Sequence, residues 1–393
     1  MKTKNVLRVI IIAVLFSATL FNACSPLREF GKMPVYNGNN NFDYQLPGYD
    51  SLKKTVIIIA DNDGTELFDM MAPHYLFNNT GKANVYIVAE KKYPIVVKKG
   101  FFLLPQFTFA EVDSLQINPD VIVIPNLSGI DSFHQNPLIL DWIKKHYAEA
   151  TTILSVCDGS MTAAATGIFD GRPITAHASD YPGIKKQFSR PLWINNISVA
   201  NSGNLYSTAG VSNAVEGSLL VINKIFGPEE MQRVRDNIKY PYQFPKTQHQ
   251  SITFDLGNKM SVGKKIIFRK NKRIGVLLQD SINEFDLAAI MDTYNRSFPK
   301  SIESFSVNDA VITTKYGLKI IPTGKIKNIE LDELHIVDPL LFSGSKNKFS
   351  HSVEMVNYTK TSKKYIIDEC LQRISGEYGK DFENIVKLML DYN

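Results

Sequence analysis

The sequence ILSVCDGSMTAAATG at residues 153–167 joins an apolar strand to a helix of small side chains through a cysteine and a glycine. This arrangement is typical of a nucleophile elbow, a sharp strand-to-helix turn that holds a reactive side chain above the edge of a sheet. Cys157 occupies the nucleophile position, and Gly159 and Ala163 are small enough to let the helix approach the strand closely. The pattern favours a reactive cysteine over one that only fills space in the core.

The turn has two expected consequences for the chemistry of Cys157. A helix N-terminus favours negative charge, so we expect the pKa of the thiol to be lowered. The backbone N–H of Asp158 lies in the first turn of the helix and can donate to a developing oxyanion. The sequence therefore predicts a thiolate nucleophile beside an oxyanion hole.

Short apolar strands alternate with helices on both sides of this turn. The sequences VIIIA at residues 56–60 and VIVIP at residues 121–125 are typical of strands buried on both faces of a parallel sheet. Apolar spacing predicts helices over residues 66–77, 142–150 and 215–226. The alternation predicts an α/β fold with a doubly wound, flavodoxin-like and mostly parallel sheet.

The second half of the chain repeats the first at matching offsets. Gly100 follows Asp69 by 31 residues, and Gly317 follows Asp286 by the same interval. About 65 residues of the first copy, including the elbow, have no counterpart in the second. The predicted organisation is a signal peptide at 1–23, a tether or poorly ordered arm at 24–50, a first domain at 51–246 and a shortened, degenerate repeat without the elbow at 247–393.

Residues 1–23 are typical of a bacterial lipoprotein signal peptide. The apolar run 9–21 follows three basic residues and is shorter than the ~20 residues that a membrane-spanning helix needs. The sequence Asn22-Ala23-Cys24 is similar to the lipoprotein cleavage box, whose cysteine becomes the acylated first residue of the mature protein. We therefore expect an exported protein of the cell envelope, anchored to a membrane through a lipid on Cys24 and facing the periplasm. A plain secretory signal is the alternative.

Composition and charge exclude several classes of protein. The 393 residues are 44% hydrophobic and 21% charged, which is ordinary for a folded protein. Of the 44 basic residues, Lys2, Lys4 and Arg8 lie in the signal peptide, so 41 remain against 39 acidic ones. This balance is too even to argue for nucleic-acid binding. Three cysteines cannot build a disulfide framework, and no spacing predicts a metal site. We expect neither a metal nor a cofactor.

The stretch SVCDGSMTAAATGIFDGRPITAH at residues 155–177 resembles the elbow region of the ThiJ/PfpI family, within the class I glutamine amidotransferase-like superfamily. The segments FDMMAP at 68–73 and STAGVS at 207–212 agree with the same family in order and spacing. The resemblance is closest to the branch that contains isonitrile hydratases and the N-terminal domains of AraC-type regulators. It covers residues 54–240 and implies the fold predicted above.

The resemblance also implies roles for five residues. Cys157 matches the nucleophile, Asp69 matches the acidic residue that exchanges protons with the thiol, and His177 matches a histidine that assists in some members. Asp158 and Gly129 would supply backbone donors to the oxyanion. A carboxyl group buried beside a thiol would have a raised pKa and could move a proton near neutrality. A solvated Asp69 and a purely structural His177 are the alternatives.

The predicted function is that of a cysteine-dependent hydrolase or lyase acting on a small carbonyl or amide-like compound. Asp158 stands where isonitrile hydratases have threonine, which argues against their substrate. A ligand- or redox-sensing module without turnover is the second hypothesis. A third is an interaction scaffold whose second copy serves packing or homodimer formation. The basic residues between 264 and 273 form either a solvated segment before the repeat or a contact with a membrane surface.

Overall fold

The computed structural model describes residues 26–392, except 40, 43, 98–99, 128–134, 308–309, 326–329, 341–352 and 359–363. The signal peptide, Cys24 and Gly129 lie outside the described residues. Within the described part of the chain, no helix has the length and apolarity needed to cross a membrane.

The first α/β region contains the described part of a short helix and eighteen further elements in chain order. They are α1 (26–31), β1 (Lys54–Ile59), α2 (Leu67–Asn79), β2 (Ala83–Ala89), β3 (Ile95–Val96), β4 (Phe101–Leu103), β5 (Phe107–Thr108), α3 (Phe109–Ser114), β6 (Val121–Ile124), α4 (Pro137–His146), β7 (Thr152–Ser155), α5 (Gly159–Ala165), β8 (Pro173–Ile174), α6 (Tyr181–Gln187), β9 (Leu192–Trp193), β10 (Val199–Ser202), β11 (Leu205–Thr208), α7 (Ala214–Phe226) and α8 (Pro228–Asn237).

The second α/β region follows after a connecting segment. Its elements are α9 (Leu256–Phe268), β12 (Arg273–Leu278), α10 (Glu284–Asn295), β13 (Ser301–Ser306), β14 (Ile312–Thr313), β15 (Lys319–Pro322), β16 (Glu333–Ile336), β17 (Glu354–Asn357), α11 (Ile366–Tyr378) and α12 (Lys380–Leu390).

The main sheet of the first region has the strand order β10-β11-β7-β6-β1-β2-β5. All neighbouring strands run parallel except β10, which pairs antiparallel with β11. The five longer parallel strands therefore follow the flavodoxin-like order 2-1-3-4-5, which confirms the predicted fold class. In such sheets, ligands bind at the carboxyl ends of the strands, beside the point where the strand order reverses. Here that point lies between β1 and β6.

The second region forms a parallel sheet with the order β13-β12-β16-β17, which is 2-1-3-4 in its own numbering. The two regions meet through antiparallel pairing of β15 with β4, in which Ile320 lies opposite Leu103. These two residues are 217 positions apart, as are Asp69 and Asp286. An offset of 217 positions relates each residue of the first copy to its counterpart in the second, so Leu103 lies opposite its own counterpart. Because the two strands run antiparallel, the two regions pack about a local two-fold axis at this pair.

A shared hydrophobic core joins the two regions. One cluster of buried side chains contains residues of α2 and α7 from the first region together with α10, α11 and α12 from the second. The rings of Phe68 and Phe285, on α2 and α10, lie 5.4 Å apart between centroids. A second cluster, which includes Ile57 and Trp142, packs on the opposite face of the main sheet. The second region therefore contributes to the hydrophobic layer on the face of the main sheet that carries α2.

The helix predicted over 142–150 is displaced in the structure, where α4 covers Pro137–His146. Asn136 caps its N-terminus by accepting a hydrogen bond from the backbone N–H of Leu138 at 3.0 Å. Pro137 then occupies the first helical position, where its missing N–H costs nothing. The signal for the start of α4 is the pair Asn136-Pro137, which apolar spacing alone does not reveal.

The arm predicted to be poorly ordered packs against the first region in its described part. The hydroxyl of Tyr44 donates to the carbonyl of Lys92 at 3.0 Å, and the hydroxyl of Tyr86 donates to the carbonyl of Gly48 at 2.5 Å. The ring of Phe30 lies 4.6 Å from that of Phe298 in the second region. The arm supplies the aromatic side chains of Phe30 and Tyr44 and the backbone carbonyl of Gly48 to these contacts.

Candidate active site

Cys157 lies at a strained turn between β7 and α5. Its backbone has a φ of 54°, in the left-handed region that residues with a side chain rarely adopt. A Cβ atom on Gly159 would lie 2.1 Å from the carbonyl oxygen of Ile124, so only glycine fits beneath the turn. Strain of this kind persists where the surrounding structure enforces it, and it is concentrated at functional sites. The geometry is that of the predicted nucleophile elbow.

The sulfur of Cys157 is buried, with the residue 4% exposed. Burial raises the pKa of the thiol well above its ordinary value, and the carboxyl groups of Asp158, Asp69 and Glu66 raise it further. A hydrogen bond from the backbone N–H of Asp158 acts in the opposite direction and does not compensate. The prediction of a lowered thiol pKa is therefore wrong. The sequence argument counted the helix N-terminus and could not count burial or the neighbouring carboxyl groups.

Asp69 is completely buried at the start of α2. Its Oδ2 accepts a hydrogen bond from the backbone N–H of Asn126 at 3.2 Å, whereas Oδ1 has no hydrogen-bond partner among the described residues. Burial raises the pKa of Asp69 well above its ordinary value, and repulsion from Glu66 adds to the effect. The alternative of a solvated Asp69 is thus wrong. The residue is buried and strongly favours the protonated form.

Glu66 is a site residue that the sequence reasoning missed. It caps α2 by accepting a hydrogen bond from the backbone N–H of Asp69 at 2.8 Å. Glu66 lines the same cavity as Cys157, whereas Asp69 is not among the residues that line it. Burial and the nearby Asp292 raise the pKa of Glu66 to about 7, although Arg296 opposes the shift. An acidic residue three positions before Asp69, where a helix begins, was the available signal.

Arg296 and Asp292 bring the second region into the site. Both lie at the C-terminal end of α10, and their side chains form an ion pair in which Arg296 Nη1 contacts Asp292 Oδ1. Arg296 Nη2 lies 3.6 Å from Glu66 Oε1, and Arg296 Nε donates to the carbonyl of Met389 at 3.1 Å. Two carboxyl groups and one backbone carbonyl therefore surround the guanidinium of Arg296 beside Cys157. Nothing in the sequence pointed to these two residues, because the second copy carries no elbow.

His177 lines the cavity that contains Cys157, as the resemblance implied. Its Nδ1 lies 3.3 Å from the backbone N of Ser179 and 3.3 Å from Oδ2 of Asp180. A neutral Nδ1 can accept from Ser179, whereas a protonated Nδ1 can pair with Asp180, so the partner depends on the charge. Burial lowers the pKa of His177, but Asp180 and the carboxylates of Asp391 and Asp158 outweigh burial and raise it. The surrounding carboxylates therefore stabilise the imidazolium of His177 relative to that of a histidine in water.

Asn126 is the best-placed side chain for a second oxyanion donor. Its backbone N–H is engaged by Asp69 and cannot serve that purpose. Its side chain lines the cavity, and its Oδ1 is buried without a hydrogen-bond partner among the described residues. Because the two ends of an amide side chain can exchange places, Asn126 can present Nδ2 to a ligand. The predicted donor Gly129 lies outside the described residues and stays a prediction.

The cavity has a volume of about 520 Å³, enough for a small organic molecule. Its lining includes polar and charged residues, namely Glu66, Asn126, Cys157, Asp158, His177, Ser179, Asp180, Lys259 and Arg296. It also includes apolar residues from the arm, from the segment before α7, from the segment around α9 and from the second region, namely Leu27, Phe30, Val211, Phe254, Val262, Phe298, Leu388 and Met389. The cavity can therefore offer both polar and apolar contacts to a ligand.

Comparisons with known proteins agree with the family resemblance found in the sequence. Residues 53–224 match the DJ-1/PfpI family, a range that includes Glu66, Asp69, Cys157 and His177. The chain is 23% identical over 205 residues to an isonitrile hydratase of Pseudomonas putida, which covers 52% of this chain and 83% of that enzyme. It is 24% identical over 129 residues to a deglycase of Pyrococcus abyssi, which covers 33% of this chain and 74% of that enzyme. The predicted family resemblance is thereby confirmed for residues 53–224.

Among solved structures, the crystal structure of Drosophila melanogaster DJ-1beta matches this chain at 20% sequence identity with a TM-score of 0.43. The match covers 48% of this chain and all of the other.

Proposed function

We propose that this protein is a cysteine-dependent hydrolase or lyase that acts on a small carbonyl or amide-like compound. The observation that carries the proposal is the left-handed backbone of Cys157, which lines a cavity together with Glu66 and Arg296. The similarity of residues 53–224 to the DJ-1/PfpI family supports a cysteine-type chemistry. The names of the isonitrile hydratase and deglycase relatives are compatible with it.

The raised pKa of Cys157 means that the resting nucleophile is a thiol, which needs a base when it attacks. Glu66 has a pKa of about 7, so near neutrality a substantial fraction of it is ionised and can accept the proton. Asp69 stays protonated and holds the N-terminus of α2 through its contact with Asn126. In this scheme Glu66 moves the proton, and Asp69 positions Glu66 and limits the negative charge beside the sulfur.

An amide-like substrate would react with Cys157 in two stages, acylation of the sulfur and hydrolysis of the thioester. The sulfur of Cys157 bonds to the carbonyl carbon while its proton passes to Glu66, and the electron pair of the C=O bond moves to oxygen. The oxyanion accepts hydrogen bonds from the backbone N–H of Asp158 and from the amide of Asn126. Its collapse expels the amine, which takes the proton back from Glu66. Water then hydrolyses the thioester by the same route and restores the thiol. With an aldehyde, the first addition gives a hemithioacetal, the starting point of a lyase.

Export and lipid anchoring belong to the same proposal. The basic start, the apolar run 9–21 and the following Asn22-Ala23-Cys24 support cleavage before Cys24 and acylation of that residue. The anchored protein would lie in the cell envelope, facing the periplasm. Globomycin-sensitive processing, followed by mass spectrometry of the N-terminal peptide, tests this part. An unacylated N-terminus at any other residue contradicts it.

A panel of small aldehydes, isonitriles and amides, each with and without an apolar tail, tests the catalytic part. We expect turnover of at least one class by the full chain and none by Cys157→Ala, with Cys370→Ala as the matched control because Cys370 is buried in α11 of the second region. Binding of panel members without turnover would favour the sensing hypothesis. Neither binding nor turnover would contradict both.

A further inference from the structure

Helix α9 exposes large apolar side chains along one stripe. Leu256, Met260 and Ile267 are 72%, 58% and 52% exposed, and Phe268 at the end of the helix is 78% exposed. The first three lie at positions i, i+4 and i+11, which fall on one face of a helix with 3.6 residues per turn. A stripe of this kind on a water-soluble helix indicates a partner surface.

The opposite face of α9 fixes the direction in which this stripe points. Val262 and Ile266 are each 4% exposed and belong to the main hydrophobic core. Lys265 is buried on the same side, where its Nζ donates to the carbonyl of Phe298 at 2.9 Å and lies 4.7 Å from the centre of the Tyr378 ring. The stripe therefore faces away from the protein and cannot turn inward without breaking these contacts.

Basic residues flank the apolar stripe. Lys259 and Lys264 lie on its two sides, are exposed, and pair with no carboxylate in the described part of the chain. Arg269 and Lys270 follow Phe268, although Lys270 forms an ion pair with Asp332 at 2.7 Å. The sequence of α9 contains no acidic residue, and Asp255, which precedes the helix, uses its side chain to cap the N-terminus. Apolar residues between lysines are typical of helices that lie in the headgroup region of an anionic bilayer.

The end of the described chain lies at the same place. Lys259 and Val262 of α9 line the cavity together with Leu27 and Phe30 of α1. Leu27 follows Cys24 by only three residues, a reach of at most ~11 Å for an extended chain. A membrane-associated segment that ends near Cys24 would therefore bring α9 and the cavity close to a bilayer surface.

We propose that the outer face of α9 docks on an anionic membrane surface and holds the mouth of the cavity beside the bilayer. This surface goes beyond the proposed function: the argument from Leu27 rests on the proposed membrane attachment near Cys24, whereas the apolar stripe and its flanking lysines do not, and neither depends on turnover by Cys157. It also explains why apolar side chains stay exposed next to the cavity. Amphiphiles dissolved in the bilayer would then reach Cys157 without crossing water.

The test uses the full chain on vesicles and asks which residues touch lipid. Vesicles of phosphatidylcholine and phosphatidylglycerol, with a small amount of a diazirine-tailed phosphatidylcholine, are irradiated, and lipid adducts are located by mass spectrometry. We expect adducts within 256–268 to exceed those within α4 by about tenfold, since only α9 is proposed to enter the headgroup region. Leu138 on α4 is the matched control because it is 56% exposed and α4 packs on the other face of the main sheet.

Two variants make the result decisive. Met260→Glu with Ile267→Glu changes exposed side chains, so folding is preserved, and it should remove the adducts within 256–268. Leu138→Glu should leave them unchanged. Equal adducts on α9 and α4, or adducts that do not increase from neutral to anionic vesicles, would overturn the proposal. So would self-association through α9 without vesicles, which would show that a second copy of the chain covers the stripe.

Discussion

Arg296 Nη2 lies 3.6 Å from Glu66 Oε1, and this ion pair connects the second α/β region to a carboxyl group that shares a cavity with Cys157. The two residues are 230 positions apart in the chain. Arg296 is held in turn by Asp292 and by the carbonyl of Met389, so α10 and α12 together fix its position. The second region is therefore part of the site and more than a packing surface.

Replacement of Arg296 by glutamine should shift the pH dependence of turnover. Arg296 lowers the pKa of Glu66 against the effects of burial and of Asp292, so its loss should raise that pKa above about 7. Because the base must be ionised, the rising limb of kcat/KM against pH should move to higher pH. Arg296→Lys keeps the charge and should move it less. Arg190→Gln is the control, since that side chain is 74% exposed at the surface. A limb that stays in place in Arg296→Gln would contradict the coupling.

Glu66 should make the protein less stable as the pH rises. Its pKa is about 7 when folded, against an ordinary value of 4.5, so the folded protein binds more protons than the unfolded chain between these values. The free energy of unfolding contributed by this group is thus full below pH 4.5 and is lost as the pH rises through 7, by up to about 3 kcal/mol.

Glu66→Gln cannot ionise and should lose this part of the pH dependence. The free energy of unfolding of the variant, relative to that of the natural protein, should increase from pH 5 to pH 8. Urea unfolding at these two pH values measures the difference. Parallel curves for the two proteins would show that Glu66 does not titrate in this range.

Cys157 should react slowly with alkylating agents at neutral pH. Burial and three neighbouring carboxyl groups raise its pKa, so the thiolate is scarce at pH 7 and its fraction should still increase with pH above 9. We expect iodoacetamide to modify Cys157 at least about tenfold more slowly than free cysteine at pH 7. Peptide mass spectrometry, with Cys157→Ser as the blank, measures the rate. Rapid labelling at pH 6 to 7 would restore the thiolate prediction.

Asp69 and Asp286 provide a matched pair of variants within one chain. Each is the third residue of its helix and follows a capping side chain that accepts from its backbone N–H. Asp286 lies in the copy where no elbow has been identified, and the pKa of its carboxyl is also raised by burial, to about 7. Asp69→Ala should lower kcat by about 100-fold, because it removes the acceptor that holds Asn126, the proposed oxyanion donor. Asp286→Ala should change it by less than twofold. Similar losses would mean that both act only on stability.

Gly159→Ala should destabilise the elbow. A Cβ at this position would lie 2.1 Å and 2.7 Å from the carbonyl oxygens of Ile124 and Pro125, which are backbone atoms and cannot rotate away. We expect a loss of about 3 kcal/mol, together with loss of turnover in the protein that remains folded. Gly376→Ala in α11 is the control, because its Cβ would meet nothing within 4 Å, and it should stabilise the protein by about 1 kcal/mol. Equal stability of the two variants would contradict the close approach.

Much of the fold and the centre of the site could be predicted from local sequence. The apolar runs of β1, β6 and β7 give the parallel sheet, and the step from strand to Cys157 and Gly159 gives the elbow. These features depend on residues close together in the chain. Where a local signal was overlooked, as with Asn136 before α4 and Glu66 at the start of α2, the prediction failed by a few residues.

The amino-acid sequence by itself determined that a cysteine stands at a tight turn on the edge of a doubly wound sheet, because strand, turn and helix propensities act over a few neighbouring residues. Only the tertiary structure decided which carboxyl group shares the cavity with the sulfur, which arginine restrains it and whether the thiol is ionised. Those properties depend on burial and on the charges carried by α2 and α10. The residues that bear these charges lie within a few ångströms of each other in space, although they are more than two hundred positions apart in the chain.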